Sequence, residues 1–116
     1  MAPLVWFITG ASTGLGAAIT DHALKRGDNV ITTARDVSKV QHFVDTYGPD
    51  KALALRLDVT SYNEAQSTIK AAFDKFGRID LLVNNAGYAD FMTVEDASME
   101  NFRAQIETNF MGVVNV

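Results

Sequence analysis

The fold is decided by residues 4–16, LVWFITGASTGLG. The first five residues form a short, unbroken apolar run, which is typical of a strand buried on both faces. Three glycines follow at the spacing Gly-x-x-x-Gly-x-Gly. Behind them apolar residues recur at helical spacing, with His22 among them: Leu15, Ala18, Ile19, His22 and Ala23. The stretch therefore predicts a strand, a glycine-rich turn and a helix, in that order.

The glycine-rich turn is a candidate site for a phosphate-bearing ligand. Backbone N–H groups at a helix N-terminus favour a bound anion. Gly10 permits the tight turn, and Gly14 and Gly16 allow close approach to a ligand and to the sheet. A dinucleotide pyrophosphate binds at such a turn. On spacing alone, an ordinary glycine-rich connection between a strand and a helix is the alternative.

Strands and helices alternate along the rest of the chain. Runs of apolar and β-branched residues predict strands over 29–34, 52–58 and 80–84. Ser61-Tyr62-Asn63-Glu64 matches a capping box, and Ser98 is the expected cap of the last helix. Helical spacing marks three further helices by Val37, Val40, Val44 and Tyr47; by Ala65, Ile69, Ala72, Phe73 and Phe76; and by Phe102, Ile106, Phe110 and Val113. The order β-α-β-α-β-α-β-α predicts an α/β fold with a parallel sheet covered by helices on both faces.

Composition excludes several classes of protein. A net charge of −4 argues against binding nucleic acid through a basic face. The absence of cysteine excludes a disulfide scaffold, a thiolate nucleophile and a Cys-ligated zinc site. No stretch approaches the roughly 18 apolar residues of a membrane span, and no basic leader is present. We therefore expect a cytoplasmic protein without membrane contact. No metal site is predicted, since His22 and His42 fall within helices away from the strand ends.

Four segments, in register with the predicted strands and helices, carry a resemblance to a known family. They are Thr9–Gly16, Leu57-Asp58-Val59-Thr60, Asn84-Asn85-Ala86-Gly87 and Glu107-Thr108-Asn109-Phe110-Met111-Gly112. Together they resemble the short-chain dehydrogenase/reductase family over essentially all 116 residues. The resemblance implies a Rossmann-like, doubly wound parallel sheet with strand order 3-2-1-4 for the part present. It also implies that residues 1–116 bind a nicotinamide dinucleotide, for hydride transfer to or from a small-molecule carbonyl or secondary alcohol.

The resemblance further implies roles for individual residues. Asp58 would hydrogen-bond the adenine amino group with the Val59 backbone beside it; a plain helix-start residue is the alternative. Asn85, Ala86 and Gly87 would flank the adenosine ribose and lie near the nicotinamide side, whereas Asn84 would tie neighbouring strands. Asn109 would be the active-site Asn, which bends its helix and holds a water in a proton relay; a buried kink is the alternative. The expected cofactor-binding residues are Gly10, Ser12, Thr13, Gly14, Leu15, Gly16, Arg35, Asp58, Val59, Asn85, Ala86 and Gly87.

The end of the second strand indicates which nicotinamide cofactor is used. Enzymes that prefer NAD place an acid there to bind the ribose 2′-hydroxyl. Here the position is Ala34, and Arg35 follows it. A guanidinium binds a 2′-phosphate through charge-assisted hydrogen bonds, so NADP(H) is predicted. Ser12 and Thr13 would add hydroxyl donors, and a solvated Arg at a helix start is the alternative.

The sequence departs from the family at the residues that transfer the proton. In the family a Tyr-x-x-x-Lys pair and a Ser, located beyond the active-site Asn, supply the general acid/base. The spacing occurs here as Tyr47–Lys51, but Gly48-Pro49 would break the helix that places both residues on one face. Tyr88, Phe91 and Met92 would border an apolar substrate or join the core.

We therefore expect the chain to be truncated relative to the full family fold and inactive on its own. The last strand would be an unpaired apolar edge, and the stripe of Phe102, Ile106, Phe110 and Val113 would be exposed. A homo-oligomer or a longer natural polypeptide would cover these surfaces. The alternative is a non-catalytic family member that acts as a dinucleotide-binding, dinucleotide-sensing or interaction module.

Overall fold

The computed structural model describes residues 2–116, in which four parallel strands form one sheet. The strands are β1 (Val5–Ile8), β2 (Asn29–Ala34), β3 (Ala52–Arg56) and β4 (Leu81–Val83). Their order is β3-β2-β1-β4, so β1 is central, and its Phe7 lies opposite Ile31 on one side and Leu82 on the other. The predicted α/β class and the strand order 3-2-1-4 are confirmed.

Helices connect the strands, with one departure from the predicted pattern. They are α1 (Gly14–Lys25), a 3₁₀ turn (Val37–Lys39), α2 (Gln41–Tyr47), α3 (Tyr62–Phe76), α4 (Met99–Ile106), a π-helical turn (Glu107–Met111) and α5 (Gly112–Asn115). The second helix is shorter than its apolar spacing predicted, because the Asp36 carboxylate accepts from the Ser38 N–H and organises a separate turn around Val37. Ser61 and Ser98 cap α3 and α4 as predicted. None of the helices within residues 2–116 has the length and hydropathy of a membrane-spanning segment.

Both faces of the two inner strands, β1 and β2, are largely buried. Residues of alternating parity along β1 and β2 point to opposite faces, as expected for a strand period of two. One face packs on α1 and α2 and includes Ile8, Val30, Ala34, Ala23, Leu24 and Phe43. The other packs on α3 and includes Val5, Phe7, Ile31, Ala65 and Ala72. Several residues of the predicted apolar stripes lie outside this core, among them Leu15, which is 75% exposed, and Phe73, which is 48% exposed.

Two carboxylates hold the beginning of β1. Asp28 Oδ1 accepts from the Leu4 N–H at 3.1 Å, and Asp80 Oδ2 accepts from the Val5 N–H at 2.8 Å. The Arg78 guanidinium and the bond from Val5 hold the pKa of Asp80 below its usual value. Because these residues directly precede β2 and β4, the central strand is anchored from both of its neighbours at the end opposite the glycine turn.

The last strand and the last helical segment present apolar side chains to solvent. No strand within residues 2–116 pairs with the outer edge of β4, where Leu82 is half exposed. In the predicted stripe, Ile106, Phe110 and Val113 are exposed, whereas Phe102 is half-buried. Three of the four residues of this stripe are therefore exposed as predicted, and Phe102 is not.

One buried hydroxyl in β2 leads to a stability prediction. Thr32 Oγ1 is fully buried and has no hydrogen-bond partner within residues 2–116. Thr32→Val keeps the branched shape and removes the unpaired group, so we expect the free energy of unfolding to rise by about 1–3 kcal/mol. Chemical denaturation measures this change. The matched control is Thr33→Val, because the Thr33 hydroxyl donates to the Ile8 carbonyl at 3.0 Å and its loss should destabilise the fold. Equal destabilisation by both substitutions would contradict the prediction.

Candidate functional site

A cleft of about 700 Å³ lies at the carboxyl ends of the strands. Open parallel sheets of α/β proteins bind their ligands at this end. All of the predicted cofactor-binding residues except Gly14 and Gly16 line the cleft. The full lining is Gly10, Ser12, Thr13, Leu15, Ala34, Arg35, Leu57, Asp58, Val59, Thr60, Asn85, Ala86, Gly87, Tyr88 and Thr108. Leu15 is thus exposed on the first turn of α1 because it faces this space rather than the core.

The three glycines of the first turn serve different purposes. A Cβ at Gly16 would lie 2.3 Å from the Gly10 carbonyl oxygen and 2.5 Å from Asn85 Nδ2, and a Cβ at Gly10 would lie 2.8 Å from the Ala86 Cα. These two glycines therefore let the turn close against the segment after β4. Gly14 has a φ of +57° and nothing within 4 Å of its Cβ position. Because the Thr13 side chain makes no capping bond, the first N–H groups of α1 remain available to an anion.

Thr9 and Asn85 join the turn after β1 to the turn after β4. The buried Thr9 Oγ1 accepts from the N–H groups of Asn85 and Ala86, at 3.1 and 3.0 Å. In return, Asn85 Nδ2 donates to the carbonyls of Thr9 and Gly10, at 3.1 and 2.9 Å. The strand-tying role expected of Asn84 belongs to Asn85, since Asn84 is exposed and its side chain has no partner within residues 2–116. Thr9 was not predicted as a site residue, although its position directly before Gly10 was the available signal.

The turn after β3 holds Asp58 in its ionised form. Asp58 Oδ1 accepts from the Thr60 hydroxyl at 2.7 Å and from the Thr60 N–H at 3.0 Å. The Thr60 hydroxyl lowers the pKa of Asp58 against the opposing effect of burial, and Arg35 and Arg56 add smaller favourable charges. Ser61 caps the helix that follows, so Asp58 is not the helix-start residue that was the alternative interpretation of this position.

The predicted capping box forms only in part. Ser61 Oγ accepts from the Glu64 N–H at 3.2 Å, as expected. The Glu64 carboxylate, however, accepts from the Asp58 N–H at 2.8 Å and pairs with Arg56, while the Ser61 N–H donates to the Asp58 carbonyl. Glu64 therefore supports the cleft-lining turn rather than closing the helix cap.

Arg35 lies where the cleft continues into a smaller recess of about 340 Å³. The recess is also lined by Ser12, Ala34, Asp36 and Lys39. The Ser38 hydroxyl and N–H both donate to Asp36 Oδ1 and lower the pKa of Asp36, so this oxygen already has two donors. The sequence analysis did not identify Lys39 as a site residue. Its i, i+4 spacing from Arg35 was the available signal, and the 3₁₀ turn brings both side chains to the same recess.

Asn109 lies in the π-helical turn, which is the helix distortion expected of it. Its Oδ1 accepts from the Tyr88 N–H at 2.9 Å, and its Nδ2 donates to the Tyr88 carbonyl at 2.7 Å. Its side chain is exposed rather than buried, and the neighbouring Thr108 lines the cleft. Asn109 therefore ties the segment after β4 to the last helical region.

Tyr47 and Lys51, which have the Tyr-x-x-x-Lys spacing, lie away from the cleft. The Tyr47 hydroxyl donates to Asp21 Oδ1 on α1 at 2.5 Å. Lys51 Nζ donates to the Gly27 carbonyl at 2.9 Å, at the opposite end of the sheet. Neither side chain borders the cleft, which agrees with the expectation that this pair is not catalytic.

A family model described as short chain dehydrogenase matches residues 4–116. The chain belongs to the short-chain dehydrogenase family. It is 47% identical over 97% of its length to oxidoreductase BOA17 of Botryotinia fuckeliana, and it covers 41% of that protein. Membership and fold thus agree with the resemblance carried by the four sequence segments.

Solved structures that are similar to this chain include complexes with different cofactors. A 3-ketoacyl-(acyl-carrier-protein) reductase from Brucella melitensis complexed with NADH superposes with a TM-score of 0.91 at 31% identity, over 97% of this chain and 46% of that one. An alcohol dehydrogenase from Thermococcus sibiricus complexed with 5-hydroxy-NADP gives a TM-score of 0.90 at 30% identity, over 98% and 50%. The chain therefore spans half or less of the length of these similar proteins.

Proposed function

We propose that this chain is the cofactor-binding portion of an NADP(H)-dependent oxidoreductase. The protein would transfer a hydride between the nicotinamide and a small-molecule carbonyl or secondary alcohol. The observation that carries the proposal is that the glycine-rich turn, Asp58–Val59 and Asn85–Gly87 border one cleft at the carboxyl ends of the strands; the turn contributes Gly10, Ser12, Thr13 and Leu15.

The residues that line the cleft fit the parts of a dinucleotide. The open space beside Gly14 and the uncapped N-terminus of α1 suit the pyrophosphate. The ionised Asp58 keeps its Oδ2 without a partner in residues 2–116, and it would accept from the adenine amino group beside the Val59 N–H. Asn85, Ala86 and Gly87 would flank the ribose. Bound NADPH would supply the hydride.

Asn109 would act at the nicotinamide end of the cleft. Its two hydrogen bonds to the Tyr88 backbone fix the π-helical turn relative to the segment after Gly87. In the proposed enzyme this arrangement would hold a water in the proton relay, as the family resemblance implies for this position.

NADP(H) is favoured by the cations of the recess beside the cleft. Arg35 and Lys39 both border it, and Ser12 adds a hydroxyl donor. The Asp36 carboxylate also borders the recess and keeps its negative charge, because Ser38 lowers its pKa, so the two cations outweigh a single anion there. The ribose end of the site is therefore suited to a phosphate rather than to a bare 2′-hydroxyl.

We expect NADPH to bind more tightly than NADH, and Arg35→Ala to remove that preference. Loss of the bonds between Arg35 and the 2′-phosphate should cost roughly 1.5–3 kcal/mol, which is about ten- to a hundredfold in the Kd of NADPH. NADH binding should be unchanged. Titration of both cofactors by nucleotide fluorescence measures the two affinities. Arg103→Ala, which removes a cation from α4 outside the cleft, is the matched control. Equal affinities of the parent protein for the two cofactors would refute the preference.

A further inference from the structure

We propose that Glu64 and Asn115 are positioning residues that hold the Asp58–Val59 turn in the shape needed to read an adenine base. The inference rests on the proposed function, because it concerns the adenine end of the same cleft. Neither residue lines the cleft, so each would act through the turn and not by touching the ligand.

The backbone of the turn is held at both of its ends by side chains from elsewhere in the fold. Glu64 Oε2 on α3 accepts from the Asp58 N–H at 2.8 Å. Asn115 Nδ2, at the end of α5, donates to the Val59 carbonyl at 2.9 Å. The Asp58 carbonyl is occupied by the Ser61 N–H at 2.9 Å. These bonds fix the orientation of the peptide groups on either side of Asp58 and Val59.

Two polar groups of the turn remain without partners in residues 2–116. They are Asp58 Oδ2, since Oδ1 takes both bonds from Thr60, and the Val59 N–H. The first is an acceptor and the second is a donor, on adjacent residues. The Watson–Crick edge of adenine offers the complement, an amino donor next to the N1 acceptor. Hypoxanthine presents the reverse, an oxygen acceptor next to an N1–H donor, so the same pair would reject it.

Contacts on both sides strengthen the two positioning residues. Arg56 pairs with the half-buried Glu64 carboxylate and so holds it in place. On the other side, a Cβ at Gly112 would lie 2.6 Å from Val59 Cγ2, which shows that the last helical segment sits directly on Val59. Val59 itself is only 7% exposed. The turn is therefore enclosed between α3 and α5 with only its ligand-facing groups unpaired.

The test compares two dinucleotides that differ only in the base: NADPH and its hypoxanthine analogue, titrated calorimetrically into the native polypeptide that carries this sequence. The parent should prefer the adenine form by roughly ten- to a hundredfold, because the analogue leaves both turn groups mispaired. In Glu64→Ala and Asn115→Ala the preference should fall to about threefold or less. Glu64→Gln retains an acceptor for the Asp58 N–H and should keep most of it. Since the ratio is taken within each variant, a change in the folded fraction cancels.

Two side chains outside the cleft supply controls. Asp74→Ala removes a surface pair with Lys70 from α3, and Asn101→Ala removes an amide from α4 that makes no hydrogen bond within residues 2–116; both should keep the parent ratio. A Glu64→Ala or Asn115→Ala variant that weakens both dinucleotides equally would overturn the inference, since the residue would then be merely structural. A parent that binds both forms equally would overturn it while leaving dinucleotide binding in place. A parent that binds neither would overturn the proposed function and this inference together.

Discussion

Gly14→Val should abolish dinucleotide binding while the chain stays folded. The Cβ position of Gly14 opens on free space at the start of α1, where the pyrophosphate is proposed to bind. A branched side chain there would fill that space and block the first N–H groups of the helix. We expect the Kd to rise at least a hundredfold, which is about 2.7 kcal/mol, as measured by titration with NADPH.

The control must separate this block from backbone strain. Gly14 has a φ of +57°, so any side chain at this position also costs about 1–2 kcal/mol of stability. Gly77 has a φ of +77° with equally open surroundings, and it ends α3 outside the cleft. Gly77→Val should therefore lose similar stability and keep binding. If Gly14→Val binds as well as Gly77→Val does, the turn is only a connector. Gly16 is unsuitable for this test, because its Cβ would collide with the Gly10 carbonyl and disturb the fold itself.

The 116-residue chain should bind NADPH without catalysing its oxidation by ketones or aldehydes. Hydride transfer to a carbonyl needs a positioned acid, and its absence typically costs about 10²–10⁴-fold in rate. The Tyr47 hydroxyl and the Lys51 ammonium donate to Asp21 and to the Gly27 carbonyl, away from the cleft. Tyr88 is the cleft-lining tyrosine, and its backbone is held by Asn109.

A panel of ketones and aldehydes, with NADPH consumption followed by absorbance, tests this expectation. The mass of the chain in solution is measured alongside, since the exposed β4 edge and the apolar surface around Phe110 favour association. Saturable turnover would contradict the prediction. In that event Tyr88→Phe would show whether the Tyr88 hydroxyl had supplied the proton, and Asn109→Ala would show whether the relay position contributes.

The fold was largely predictable because its signals are local. The apolar run before Gly10, the serine caps at Ser61 and Ser98, and the alternation of elements are each readable over a few residues. The order of the strands came from the family resemblance, since periodicity does not state which strands become neighbours. The predicted second helix was too long because the spacing of Val37 and Val40 is helical, whereas the competing hydrogen bond from the Ser38 N–H to the Asp36 carboxylate is a side-chain effect that spacing does not show.

The site was predictable where it depends on residue type at a turn. Arg35 directly follows β2, and Gly10 and Asp58 lie two residues beyond β1 and β3; parallel strands bring such residues to one edge. Glu64 and Asn115 could not be inferred in this way, because they act from helices, and Asn115 lies 56 positions from Val59. Likewise, Asn84 and Asn85 are the same residue type, and only the tertiary contact with Thr9 distinguishes their roles.

The carboxylates at the beginning of β1 fix the register of the central strand without help from a ligand. Asp28 and Asp80 grip successive N–H groups from the two neighbouring strands, so a slip of β1 by one residue would break both bonds at once. Strand alignment is thereby enforced far from the ligand and before one is bound. Thr9 and Asn85 add a second join between β1 and β4 at the cleft end, so the glycine turn is presented to a ligand on a sheet whose register is already set.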